Sequence, residues 1–351
     1  MLNTFSKTIL FLMCLSSVAH AQLVPIDEQE LSDMTGQAFF NIDRSSDIDQ
    51  NLDFTKLTFG LEVNTLLTSD LVDLGNYTRD NVDGSDIKIN DFALGTIDSA
   101  GNVVPFEIQD PFIELAFEDD AGQQNLVGVR LGFGGAKGVL SGTIESLTGN
   151  INIDIRDTAA GLANADNGLA DLTAALLGNS PIEASAVLVN SDGTPNNIRA
   201  TEVGIQNNET FDIVPTSGTD KFVLSIAAGL GIGGLNCVDS GFLSCSKAEI
   251  TASDCLAAGI DVCFDLNTYN SLDIGSNIVR NTDGSVRSSD PAEGLFLSFQ
   301  SESVTWSDGT DTTPGAFFNI PNGGLEVTLE QALTGTDRVR TKYVDPYFSG
   351  N

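Results

Sequence analysis

The chain has 351 residues, of which 41% are hydrophobic, with 49 acidic residues against 16 basic ones and a net charge of −33. That balance repels nucleic acid and anionic lipid, and the apolar content is too high for a disordered chain. The single histidine, His20, falls in a segment that reads as an export signal, so the mature protein has no imidazole for general base chemistry or for most zinc sites.

Residues 1–21 carry the three parts of a signal peptide: Lys7, the apolar run Ile9 to Leu15, and Ala19-His20-Ala21 as a small-x-small site, predicting cleavage between Ala21 and Gln22. Cys14 raises a lipoprotein alternative, but Phe11-Leu12-Met13 lacks the small residues that such processing requires. The apolar run is too short to span a bilayer and no later segment replaces it. Removing it takes one basic residue and no acidic one, leaving a charge of −34 on residues 22–351, which read as one large β-rich exported domain. A surface this acidic serves solubility or attracts divalent cations.

Asp27 with Glu30 has capping-box spacing and predicts a short helix that ends at Gly36 and packs Leu31 and Met34 on the body. Ala38-Phe39-Phe40-Asn41-Ile42 recurs letter for letter as Ala316-Phe317-Phe318-Asn319-Ile320, as two equivalent, neighbouring strands would. Leu57, Phe59, Leu61 and Val63 alternate with Thr58, Gly60 and Glu62 as one strand. Asp80-Asn81-Val82-Asp83-Gly84-Ser85-Asp86 combines a hairpin dipeptide, Asp83-Gly84, with oxygen ligands. Asp80, Asp83 and Asp86 are therefore calcium candidates, although the segment lacks the twelve-residue loop and closing glutamate of an EF-hand. Phe112, Glu114 and Ala116 oppose Ile113, Leu115 and Phe117; Ile151, Ile153 and Ile155 alternate with Asn152 and Asp154.

Residues Gly168 to Leu177, capped by Asp166 or Asn167 and stopped by Gly178, predict a helix with Leu169, Leu172, Leu176 and Leu177 on one face. Phe222 to Ile226 is strand-like, and Gly229-Leu230-Gly231-Ile232-Gly233-Gly234 after it matches a dinucleotide fingerprint. The following Leu235-Asn236-Cys237 cannot open the required helix, so a glycine-rich loop is the better reading. Cys237, Cys245, Cys255 and Cys263 are clustered without a Cys-x-x-Cys pair, which fits two disulfides and not a metal cluster. Their symmetric spacing favours Cys237 with Cys245 and Cys255 with Cys263, as staples of a protruding insert at about 235–265. Leu295, Leu297 and Phe299 form a late strand, the dipeptides Asp192-Gly193, Asp283-Gly284, Asp308-Gly309 and Asn322-Gly323 mark turns, and Leu329 to Leu333 before Gly335 is a last short helix. The whole predicts a mainly β fold, an antiparallel sandwich or partly closed barrel with a few short helices and a disulfide-stapled insert. An irregular β-solenoid is the alternative, weakened by the lack of a regular repeat.

No G-x-S-x-G elbow occurs, a histidine triad cannot be assembled, and no spacing singles out a serine and lysine pair. Paired carboxylates for glycoside hydrolysis remain open, while the one tryptophan, Trp306, and four tyrosines leave few platforms for sugar rings. No cofactor other than calcium matches the composition.

Glu30-Leu31-Ser32-Asp33-Met34-Thr35-Gly36-Gln37-Ala38 resembles the mature N-terminus of a family of exported Gram-negative proteins with an L-S-x-V/M-T/S-G-Q-A signature, some labelled pilus-assembly proteins of the FilA type. Gly138 to Gly142, Leu147 to Ile151 and the stretch from Asn319-Ile320-Pro321 through Leu329 to Leu333 to Tyr343-Val344-Asp345 are similar to the same family. That resemblance implies placement in the periplasm, at the outer membrane or outside the cell, and a non-enzymatic role. The function expected is a structural or interaction protein that binds envelope or surface proteins, or itself, as an accessory to pili or adhesion. The alternative is a module binding a lipid or other hydrophobe between strands such as Phe112 to Phe117 and Leu126 to Phe133. An outer-membrane barrel is disfavoured because the strands lack aromatic girdles.

Overall fold

The computed structural model describes residues 40–120, 122–165, 167–241, 243–281 and 286–341. The signal segment, the cleavage site, the predicted helix before Gly36, the Asp283-Gly284 turn and the resemblance motifs at Glu30 to Ala38 and Tyr343 to Asp345 lie outside the described residues.

The fold is mainly β, as the alternating sequence pattern predicts. In chain order the principal strands are β1 (Phe40–Asp47), β2 (Leu52–Phe59), β3 (Glu62–Thr65), β4 (Leu67–Arg79), β5 (Val82–Leu94), β6 (Phe106–Asp120), β7 (Gln123–Leu147) and β8 (Gly149–Thr158). After helix α1 (Gly168–Leu177) come β9 (Pro181–Val189), β10 (Glu202–Gly204), β11 (Thr210–Ile213), helix α2 (Gly218–Gly229), β12 (Ala248–Thr251), β13 (Cys263–Asp265) and β14 (Ser271–Ile274). The chain continues through β15 (Phe296–Gln300), β16 (Gly315–Ile320), β17 (Glu326–Val327) and helix α3 (Leu329–Thr334).

Two long strands distribute the rest into layers. The first half of β7, which is 25 residues long, pairs with β6 and β15, and its second half pairs with β5 and β14. The change of partners falls between Lys137 and Gly138, whose φ of 128° is open to glycine and lets the strand bend between sheets. Likewise β8 starts beside β16 and then continues beside β9. One sheet therefore runs β1-β2-β6-β7-β15-β16-β8, a second β4-β5-β7-β14, and a third spreads from β17-β8-β9 to β10-β13 and β11-β12. Apart from β8 with β16 and β17, these pairings are antiparallel, the pattern of a sandwich and not of a solenoid, and the sheets stay open instead of closing into a barrel. Ile89 and Leu140 of the second sheet, Ile153 of the third, and Phe318 and Ile320 of the first line one void of about 20 Å³, so the layers share a core.

Several sequence expectations change. The hairpin between β4 and β5 turns at Asp80-Asn81, both left-handed at φ 51° and 65°, and Asp83-Gly84 lies inside β5; aspartate and asparagine tolerate a two-residue turn of this type. The strand expected over Leu57 to Val63 breaks after Phe59 into β2 and β3. Phe222 to Ile226 belongs to α2, because Ser217 caps Asp220 N–H at 3.1 Å and starts a helix there. The residues Gly231, Gly233 and Gly234 follow that helix at φ 65°, 62° and 72°, a glycine-rich loop as expected. Helix α1 has the expected bounds, but Leu172 and Leu176 face solvent while Ala170 and Leu177 are buried. Helix α3 opens with a capping box between Thr328 and Gln331.

The repeated pentapeptide does not mark equivalent neighbours. Phe40 to Ile42 sit on exposed β1 at one end of the first sheet, whereas Ala316 to Ile320 form β16, with Phe317 and Ile320 buried, several strands away.

Candidate functional site

Disulfides join Cys237 to Cys245 and Cys255 to Cys263. The stapled segment is woven into the body instead of protruding: β12 pairs with β11, β13 pairs with β10, and Ile250, Ile260 and Val262 join the main core. Beneath it lies a small apolar cavity of about 40 Å³ bordered by Phe211, Leu235, Ile260 and Leu333.

The calcium candidates do not converge. Because side chains alternate along a strand, Asp83 and Asp86 project from opposite faces of β5, and Asp80 lies in the turn. Asp83 accepts from the Thr78 hydroxyl. Asp86 is fully buried and receives Arg199 Nε at 3.1 Å on one oxygen and the Ala316 N–H at 3.0 Å on the other. Among the described residues no group of three His, Cys, Asp or Glu side chains is arranged to hold a metal ion.

Asp86 instead anchors a loop. Arg199 has a left-handed backbone, φ 48°, an unfavourable state for a residue with a Cβ. Its guanidinium compensates by donating to the Tyr77 carbonyl at 2.7 Å and the Val82 carbonyl at 3.0 Å as well as to Asp86, above the Tyr77 ring. Its own N–H donates to Thr148 Oγ1 at 2.8 Å, and Gly149 N–H donates to the Asn197 carbonyl at 3.0 Å. Gly149 is required there because a Cβ would run into the Phe318 carbonyl. The loop between β9 and β10 is thereby pinned against the start of β8. At its tip Asp192 accepts from Thr194, whose hydroxyl and N–H hold the carboxyl below its usual range.

Between this loop and the outer face of β8 and β9 lies a groove of about 360 Å³. Its wall and floor carry Asn150, Asn152, Asn196, Asn197 and Gln206 with Val187, and no charged residue lines it. Among the described residues the side chains of Asn152 and Asn197 make no hydrogen bond, and Asn150 makes one long one, 3.4 Å to Asn319. Further along the same face of β8 a second groove of about 240 Å³ is lined by Asp154, Glu183, Glu209 and Asp212 around Arg156. Arg156 bridges Asp154 at 3.3 Å and Glu326 at 3.4 Å, and burial raises the Glu326 carboxyl above its usual range despite that contact.

The first sheet provides the other unusual surface. At β15 and β16 its inner face packs on the main core, but at β1, β2, β6 and the start of β7 it extends beyond that packing. Cross-strand register aligns Ile42, Leu57, Ile113, Leu131, Leu297 and Phe318 in one row on this face. Phe318 and Leu297 meet the core, whereas Leu131, Ile113 and Ile42 are 39%, 37% and 55% exposed. Thr55, Leu115, Val129 and Phe299 make the next row.

The opposite face of this overhang is closed by a hairpin, Val304 to Thr312, whose Trp306 packs on Leu52, Phe54 and Ala116. Arg130 lies beneath it with no exposure, surrounded by the rings of Phe112, Phe296 and Trp306. Its Nε donates to Glu114 at 2.9 Å, its Nη2 makes a second contact with the same carboxylate, and its Nη1 donates to Asp308 at 2.6 Å. Ser307 donates to the other Glu114 oxygen. The strands Phe112 to Phe117 and Leu126 to Phe133 are thus hydrogen-bonded neighbours in one sheet.

No family model, no curated protein and no solved structure matches the chain. Among the described residues no helix is long and apolar enough to cross a membrane.

Proposed function

We propose that the protein is a non-enzymatic interaction protein of the Gram-negative envelope or cell surface, exported through its N-terminal signal and accessory to pili or adhesion. The observation that supports this reading is the apolar overhang. A sheet face carrying Ile42, Ile113, Leu131 and Phe299 in continuous register is a surface of the kind that protein partners cover. The opposite face is closed by the Arg130–Glu114 ion pair and the Trp306 hairpin, which leaves this face for a partner, and the two disulfides suit an oxidising compartment. The partner is an envelope or surface protein, or a second copy of the chain.

Cell fractionation with surface proteolysis, combined with the double variant Ile113→Asp, Leu131→Asp, tests the proposal. The wild type is expected in a particulate or multimeric fraction and the variant as a free monomer. Because both side chains are exposed, the variant should lose no more than about 1 kcal/mol per site. A wild-type protein found only as a free periplasmic monomer, whose deletion leaves attachment unchanged, would overturn the reading.

A further inference from the structure

We propose that the amide-lined groove between the start of β8 and the loop 190–199 binds a neutral saccharide chain. This inference rests on the groove itself and not on the overhang.

The argument begins with charge. The chain carries 49 acidic residues, yet the groove at Asn150, Asn152, Asn196, Asn197 and Gln206 has none in its lining, while the adjacent groove on the same sheet face holds four carboxylates. A ligand of the first groove is therefore read by neutral hydrogen bonds, whereas the second already holds the Arg156 guanidinium. Each asparagine or glutamine amide presents one acceptor and two donor hydrogens side by side, matching the hydroxyl groups of a sugar, which donate and accept from adjacent carbons. Asn152 and Asn197 have these groups unspent, and the Asn196 amide uses only its oxygen, accepting from Ile198 N–H at 3.1 Å.

Backbone geometry argues against an extended peptide. Over the groove β8 pairs with β16 at 149–151 and with β9 from Asn152, and the Gly149 N–H is taken by the Asn197 carbonyl, so no continuous sheet edge is open for strand addition. Recognition in this groove must come from side chains. Val187 and Pro195 supply small apolar patches for the C–H face of a sugar ring, and no aromatic ring lines the groove for stacking. The proposal thus commits to weak binding, of millimolar order, that gains strength when many copies are displayed. The wall is preformed, because Arg199, clamped to Asp86, holds the loop in place before any ligand arrives.

Ligand-observed NMR on the full exported protein tests this, with maltohexaose, cellohexaose and chitohexaose as probes at up to about 10 mM, the weak end of measurable affinity. At least one probe is expected to bind, insensitively to salt. Affinity should fall at least about fivefold in Asn152→Leu and in Asn197→Leu, as loss of one or two net hydrogen bonds requires. Glu183→Gln, in the acidic groove, should leave binding unchanged. Both asparagine side chains are without a hydrogen-bond partner among the described residues, so each variant should keep the wild-type melting temperature, which checks that the fold is intact. The proposal is overturned if no probe binds the wild type, if binding survives both asparagine variants, or if hexalysine binds in this groove where the saccharides do not.

Discussion

The main core and the sheet overhang share strands but are closed by different physics. In the main core, apolar side chains from three sheets and from α3 meet, as Ile153, Ile182, Ile320 and Leu325 do, with the buried Asp86–Arg199 pair at the margin. In the overhang a cluster of five residues, Leu52, Phe54, Ala116, Val304 and Trp306, shares its face with a buried arginine and glutamate. The comparison teaches that a sheet can extend beyond its apolar partner when one face is locked by a fully satisfied ion pair. The other face then stays apolar with no layer packed over it among the described residues.

The most severe way to break this arrangement is to remove one charge. Arg130→Ala leaves Glu114 buried with only Ser307 as partner among the described residues, an uncompensated charge that costs about 3–5 kcal/mol. Replacing both, Arg130→Met with Glu114→Leu, removes the charges together and should return stability to within about 1 kcal/mol of the wild type. Denaturant unfolding of the three proteins decides the point. A double variant as unstable as the single one would show that Arg130 acts through its contacts with Phe112, Phe296 and Trp306 and not through charge.

Trp306→Ala, costing about 3–4 kcal/mol, asks whether the overhang opens independently. Amide exchange should quicken in β1, β2 and the hairpin Val304 to Thr312 while β8 and β9 stay protected. Leu325→Ala in the main core should instead raise exchange throughout. Uniform exchange in both variants would mean that the two regions unfold as one.

The sequence shows the alternation of nearly every long strand, but not which side faces in. On β6 the richer apolar side, Ile113, Leu115 and Phe117, belongs to the open face, and the side with Glu114 is buried. Burial there depends on Arg130, distant enough in sequence to leave no local signal. The turns at Asp192-Gly193, Asp308-Gly309 and Asn322-Gly323 follow local chemistry and were legible. Asp83-Gly84 was not, because Gly84 lies inside a strand beneath the Arg199 guanidinium, a tertiary arrangement. The amide groove escapes sequence reading for the same reason. Asn150 and Asn152 are an ordinary outward alternation until the Asp86 clamp brings Asn196 and Asn197 across from them.

The disulfides sharpen the contrast from the other end. Removing the Cys237–Cys245 bridge with Cys237→Ser and Cys245→Ser releases a loop with a sequence separation of 8, for which chain entropy alone gives about 2–3 kcal/mol. The loss should appear in amide exchange of β11 and β12 and leave the Val304 to Thr312 hairpin unaffected. Exchange that rises in the hairpin would place the stapled segment and the overhang in one cooperative unit.

The smallest effect, and the one that separates the regions without mutation, is pH. Burial alone would raise the Asp308 carboxyl, but the Arg130 guanidinium and the Thr310 N–H and hydroxyl outweigh it and hold the carboxyl below its usual range. Its stabilising contribution to the overhang is therefore present above the unfolded value and is lost as pH falls through the depressed folded one. In the main body, burial raises Glu326 and Asp273 despite Arg156 and Arg280, and burial with the neighbouring Asp265 charge raises Glu202. These groups take up protons more readily when folded, so their contribution is fully present below their unfolded values and is lost as pH rises through the folded ones. Mild acidification from neutrality should therefore strengthen the main body, and stronger acid should remove the Asp308 contribution to the overhang. Melting followed by tryptophan fluorescence reports the overhang through Trp306, while circular dichroism reports the sheets as a whole. Glu326→Gln should flatten the gain in mild acid, and Asp308→Asn should remove the fluorescence change in strong acid. Coincident transitions by both probes at every pH would show that the ion pair couples the two regions instead of isolating them.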